Sequence, residues 1–160
     1  VMDAQNITLT EKFDIIVASD CLEHLENDTK ALNNWESLLK QNGKMYVFVP
    51  AFMSLWSYHD EVNMHYRRYK KNELRLKIEN ENLKIIKSSY WNFFLFIPVY
   101  VFRKISSIFH QKKSGKSDIT IGNSFLNNTL LQLLIFENKL LKMINFPFGV
   151  STFCIAKKRN

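Results

Sequence analysis

Phe13-Asp14-Ile15-Ile16-Val17-Ala18-Ser19-Asp20-Cys21-Leu22-Glu23-His24-Leu25 starts as an apolar run and ends in a polar turn rich in Ser, Asp, Glu and His. A continuous apolar run is the pattern of a strand covered on both faces. In open α/β sheets, ligands bind in the crevice where the carboxyl ends of parallel strands meet their loops. Residues 13–19 are therefore expected as a central strand. Ser19, Asp20, Glu23 and His24 then stand at the mouth of a site.

Working outward, Ala31, Leu32, Trp35, Leu38 and Leu39 recur at helical spacing between Asp28 and Gln41. Asp20 or Asn27-Asp28 can cap the helix after the turn, and Asp20-x-x-Glu23 has the spacing of a capping box. Asn42-Gly43 is expected to end the helix, with Gly43 in the left-handed position after the last turn. Lys44 to Pro50 is a second apolar strand, so strand, helix and strand form a parallel crossover. Residues 51–69 read as a long polar-aromatic loop. Lys71 to Glu81 reads as a short helix with Leu74 and Ile78 inward and Asn82 as its terminator. Leu83 to Tyr90 gives a third strand and Gly149 to Lys157 a fourth. Between these two lies an apolar segment, Phe93 to Phe102, interrupted by Pro98 and followed by Arg103, Lys104, His110, Lys112, Lys113 and Lys116. A second apolar helix is expected from about Phe125 to Ile144, with Ser114-Gly115-Lys116-Ser117 as the tip between the two.

The 160 residues suffice for one domain with its own core. A composition of 46% hydrophobic and 23% charged residues, with only 4 Gly and 3 Pro, excludes a disordered or fibrous chain. The net charge of +7 suits nucleic acid, anionic lipid or an acidic substrate. The basic residues make no long stripe with a known motif, so nucleic acid is not an expected partner. Cys21 and Cys154 are too few for a disulfide framework and form no Cys-x-x-Cys pair, which points to a reducing, cytoplasmic setting. The opening residues carry no signal-peptide pattern.

Four pieces in order give the chain a wider likeness. They are Asp3-Ala4-Gln5-Asn6-Ile7; the run from Phe13 to Leu25; Leu38-Leu39-Lys40-Gln41-Asn42-Gly43-Lys44 with its strand to Pro50; and Trp56-Ser57-Tyr58-His59-Asp60-Glu61 through His65-Tyr66-Arg67-Arg68-Tyr69. Together they resemble the C-terminal part of a class I S-adenosylmethionine-dependent methyltransferase, and Pro147-Phe148-Gly149-Val150-Ser151 fits one subgroup of it. The resemblance implies an α/β fold: a Rossmann-like, doubly wound, mostly parallel sheet, present in part. A helical insertion over residues 93–146 would precede an antiparallel last strand, and residues 1–160 would be part of a single domain. No Gly-x-Gly-x-x-Gly loop occurs, and in the family that loop forms much of the cofactor site. The expectation is a fragment that binds S-adenosylmethionine poorly by itself and is inactive alone.

Carried onto this sequence, the resemblance implies that Asp3 accepts a hydrogen bond from the adenine amino group and that the Ala4 N–H meets a ring nitrogen. It puts Ser19 and Asp20 near the methionine moiety. Glu23 and His24 face the substrate or are plain surface residues. The loop bearing His59, Asp60, Glu61 and His65 would cover the substrate, with His59 or His65 as general base for a hydroxyl acceptor. Its spacing matches no compact metal motif, and no metal is expected. Arg67 and Arg68, interleaved with Tyr66 and Tyr69 beside Lys70 and Lys71, could grip an anionic group on the substrate or form a solvated rim.

The apolar segment from Phe93 is too short to span a bilayer, which takes about 20 residues. Two roles are open: a helical cap over the sheet or the substrate pocket, or, given the basic stretch that follows, contact with an anionic membrane face. The expected function is methyl transfer to a small or lipid-linked acceptor by a cytoplasmic protein, peripheral on the inner membrane face in the lipid case. The alternative is a non-catalytic membrane-surface or partner-binding module on the same fold. Another Rossmann-type nucleotide enzyme is disfavoured by the Asp3-Ala4 turn and the loop after Pro50.

Overall fold

Pairing between the two apolar runs organises the molecule. In the computed structural model, which describes residues 2–108 and 124–159, β1 (Phe13–Ser19) lies parallel to β2 (Leu39–Pro50). The connection is α1 (Asp28–Ser37), as the crossover pattern requires. Further along come α2 (Tyr58–Val62), α3 (Lys71–Glu79), β3 (Leu83–Trp91), α4 (Phe96–Ile108), α5 (Ser124–Leu141) and β4 (Ser151–Lys158). The sheet order is β1-β2-β4-β3, with β4 antiparallel to both neighbours. Among the described residues, three strands thus run one way and the last opposes them. The basic residues His110, Lys112, Lys113 and Lys116, and the expected tip at 114–117, lie outside the described residues.

Strand register separates the faces, because successive side chains alternate. Ile16 and Ala18 lie beside Met45 and Val47 and face the core with Ala31, Leu32 and Trp35 of α1 and Leu74 and Ile78 of α3. Ile15 and Val17 share the other face with Tyr46, and they stand 56% and 63% exposed. A second cluster joins Ala51, Tyr90 and Phe146 with Phe52, Phe93, Leu140 and Leu141. There Glu137 of α5, fully buried, accepts hydrogen bonds from the backbone N–H groups of Phe93 and Phe94.

Several element boundaries differ from the sequence expectations. α1 ends at Ser37, and β2 begins at Leu39 rather than Lys44, because Leu38 and Leu39 are core residues on the turn back into the sheet. Asn42, not Gly43, takes the left-handed backbone, with φ 65°. Gly43 is required instead by crowding: a Cβ there would lie 2.9 Å from the Lys40 carbonyl oxygen and 3.1 Å from that of Phe13. The cap of α1 is Asn27, whose side chain accepts from Lys30 N at 2.9 Å; Asp20 caps no helix. α3 stops at Glu79, and β3 continues to Trp91. Residues 51–69 are not loop throughout, since they hold a 3₁₀ turn at Met53–Leu55 and α2. Ser57 and Asp60 form the capping box that starts α2.

Candidate functional site

The carboxyl end of β1 breaks sharply. Asp20 has φ 46°, a conformation non-glycine residues seldom adopt, and a 3₁₀ turn follows at Leu22–His24. Phe52 (φ 55°) and Met64 (φ 55°) are left-handed too, in the segment that folds over this end. Such backbone persists where surrounding contacts over-determine it, commonly at functional sites. A backbone bond from Tyr66 N to Glu23 O, 2.8 Å, clips the segment to the turn.

The clip brings His65 onto the turn. The rings of His24 and His65 meet edge to face with centroids 4.5 Å apart. A carboxylate oxygen of Glu23 and one ring nitrogen of each histidine lie within 4.8 Å of one another. Glu23 is fully buried, and neither of its carboxylate oxygens has a hydrogen-bond partner among the described residues. Burial, reinforced by the nearby Asp20 charge, pushes its pKa up to about 7 despite the Arg68 charge.

Asp60 anchors the corner from behind. It is fully buried and accepts from Arg68 Nε at 2.7 Å, Ser57 N at 2.9 Å and Ser57 Oγ at 3.1 Å. Burial would raise its pKa, but these hydrogen bonds, the Arg68 charge and His65 outweigh burial and hold it below the ordinary carboxylate value. An ionised carboxylate only accepts, so the 2.9 Å contact with His65 Nδ1 puts the hydrogen on that nitrogen. In the neutral ring this leaves Nε2 as the lone-pair site. Arg103 of α4 completes the anchor, 3.6 Å from Asp60 and bonded to the Leu55 carbonyl oxygen.

Not all the sequence candidates converge here. Glu23, His24, Asp60, His65 and Arg68 do. His59 lies exposed on α2, 2.9 Å from the Asn63 side chain, and is not part of the corner. The guanidinium of Arg68 is taken up by Asp60 and the Ala51 carbonyl oxygen, within the protein rather than on an open rim. Tyr69 is fully buried, its hydroxyl donating to Asp28 at 2.9 Å, and Arg67 pairs with the same carboxylate at 3.0 Å and bonds the Glu26 carbonyl oxygen.

Ala4 and Ser19 line a cleft of about 340 Å³ with Ile7, Ile16, Val17 and Cys21. Asp3 is exposed and accepts from Gln5 N and the Asn6 side chain, which hold its pKa below the ordinary value. Ser19 Oγ donates to Asp20 at 3.1 Å. Sequence reasoning missed Asp28 and Arg103. Asp28 had a signal, the polar start of an amphipathic helix, whereas Arg103 lies 43 residues from Asp60 and had none.

A protein-family profile described as a methyltransferase domain matches residues 1–47. Similar solved structures include a SAM-dependent methyltransferase from Archaeoglobus fulgidus, 16% identical with TM-score 0.51 over 92% of this chain and 60% of that one. Phosphoethanolamine N-methyltransferase 2 of Haemonchus contortus, in complex with S-adenosyl-L-methionine, is 13% identical with TM-score 0.55 over 99% and 36%. This chain has the class I methyltransferase fold. The cyclase SpnF, 15% identical with TM-score 0.53 over 98% and 55%, shares that fold with a different chemistry, so the fold alone does not fix the reaction. The chain spans between about a third and three-fifths of these three proteins' lengths. No curated protein matches it by sequence.

Proposed function

We propose that this chain supplies the acceptor-facing part of a methyl-transfer site that uses S-adenosylmethionine. The observation that carries the reading is the Glu23–His24–His65 corner, backed by buried Asp60, at the carboxyl end of β1 and beside the cleft at Ser19. That is where an α/β sheet places its ligand. The cleft's largely apolar lining fits the adenine face of the cofactor, with the Asp3–Ala4 turn at one side and Ser19 and Asp20 toward its polar end. When bound, the cofactor supplies an electrophilic methyl group. The chain's own residues orient the acceptor in line and hold its proton. His65 Nε2, its tautomer fixed by Asp60, takes that proton from a hydroxyl acceptor.

The four glycines of this sequence include no pair spaced as a cofactor loop, and β1 pairs only with β2 among the described residues. A glycine-rich segment outside these residues therefore completes the cofactor site in this reading, and the chain is inactive without it. α4 and α5 lie between β3 and β4 in the chain, and α4 carries Ile97, Val101 and Ile105 exposed at 65%, 46% and 49% along one side. That apolar side favours a lipid-linked acceptor over a fully soluble one. No helix among the described residues is long and apolar enough to cross a membrane.

Calorimetric titration of S-adenosylhomocysteine into this chain, and into a form extended upstream, tests the reading. Binding by the extended form alone supports it. Binding by neither folded form removes the catalytic reading and leaves a non-catalytic module on the same fold.

A further inference from the structure

We propose that Glu23, His24 and His65 form a binding site for a first-row divalent transition cation. The inference rests on the geometry of the corner and not on methyl transfer. Three observations converge. The first is donor chemistry: two imidazoles and one carboxylate are a ligand set that suits Zn²⁺, Fe²⁺ or Mn²⁺, and their donor atoms lie within 4.8 Å of one another.

The second is the state of Glu23. A fully buried carboxylate with no hydrogen-bond donor on either oxygen is costly, and buried charges are ordinarily paired or bound to metal. Among the described residues no group makes a hydrogen bond to either Glu23 oxygen, although two imidazoles stand beside it. A cation would satisfy this carboxylate with groups already in place.

The third is support behind the ligands. Metal-binding histidines characteristically donate their other ring N–H to a carboxylate, which fixes the tautomer and strengthens the ligand. His65 does this through Nδ1 to Asp60 at 2.9 Å. Asp60 is itself locked by Arg68 and Ser57, so Nε2 is the nitrogen left to coordinate. Such backing is more than a surface histidine needs.

Three protein ligands leave coordination positions open, as in metal sites that bind a further oxygen or nitrogen ligand. Coordination and proton acceptance by His65 Nε2 are alternatives. With the cation bound, a hydroxyl acceptor at the open position would have its pKa lowered by the cation and would pass its proton to solvent water rather than to His65.

The test titrates Zn²⁺ into the full 160-residue chain, followed by calorimetry and by side-chain NMR of histidine. The expected result is one saturable equivalent, with signals of two of the four histidines, His24 and His65, shifting together. Glu23→Gln and His65→Asn, each confirmed as folded by circular dichroism, should weaken binding by more than about 100-fold. Asp60→Asn should cost roughly 10–100-fold, as loss of an outer partner does. No saturable binding, binding unchanged in Glu23→Gln, or shifts at His59 or His110 instead would overturn the proposal. The NMR readout needs no substitution, so it decides the matter even if a variant does not fold. Since no cofactor is present, failure leaves the methyl-transfer reading intact.

Discussion

Replacing Arg68 by Met tests whether the Asp60 network holds the site together. Methionine keeps much of the aliphatic volume and removes the charge. The side chains of Arg68 and Asp60 are 3% and 0% exposed, and their closest contact is 2.7 Å. Removing one partner of a buried ion pair costs about 3–5 kcal/mol, because the other charge is left uncompensated. Here Asp60 would retain Ser57 and His65, and Arg103 lies 3.6 Å from its second oxygen. That places the cost near the low end, about 3 kcal/mol. With a urea m-value of about 2 kcal/mol/M, the midpoint should fall by about 1.5 M. The double variant Asp60→Asn with Arg68→Met should recover part of the loss, since the Asp60 charge is then no longer left without Arg68, while Arg103 loses only a 3.6 Å partner. Urea unfolding followed by far-UV circular dichroism measures all three chains. A loss below about 1 kcal/mol, the range of an exposed pair, would refute the reasoning. So would a double variant less stable than Arg68→Met alone.

Two further expectations concern the frame around the site. At Asp28, burial opposes ionisation, but the hydrogen bonds from Tyr69, Lys77 and Arg67, with the charge of Lys77, leave the pKa below its ordinary value. A folded pKa below the unfolded one stabilises the protein above the ordinary carboxylate range, near pH 4, and that stability disappears as pH falls through the folded value. Asp28→Asn should therefore be less stable than the parent at pH 7, with the gap closing below about pH 4 in denaturation curves; a gap independent of pH would contradict this. Gly149→Ala should cost about 3 kcal/mol, because its Cβ would lie 2.3 Å from the Trp91 carbonyl oxygen, a backbone atom held by the pairing of Trp91 with Ser151. A change within about 0.5 kcal/mol in urea unfolding would show that β3 yields there.

Local patterns were legible in the order of residues. The apolar run ending at Ser19, the helical spacing of Ala31, Leu32 and Trp35, and the second apolar run to Pro50 together require a parallel crossover, and the structure has it. Such periodicities are properties of neighbouring residues, so they are legible in one dimension. Tertiary structure decided what depends on where segments meet. Gly43 carried the expected type for a left-handed cap, yet its role is to let the backbone of β1 approach, which no local pattern encodes. His59 and His65 had equal claims in the sequence. The Ser57–Asp60 capping box turned α2 so that His65 met Asp60 and reached Glu23 and His24, while His59 was left outside. Arg68 is of a type that suits an anionic ligand, but burial pairs it with Asp60. The partners are as far apart as Glu23 and His65 or Asp60 and Arg103, and only the folding of the chain sets those distances.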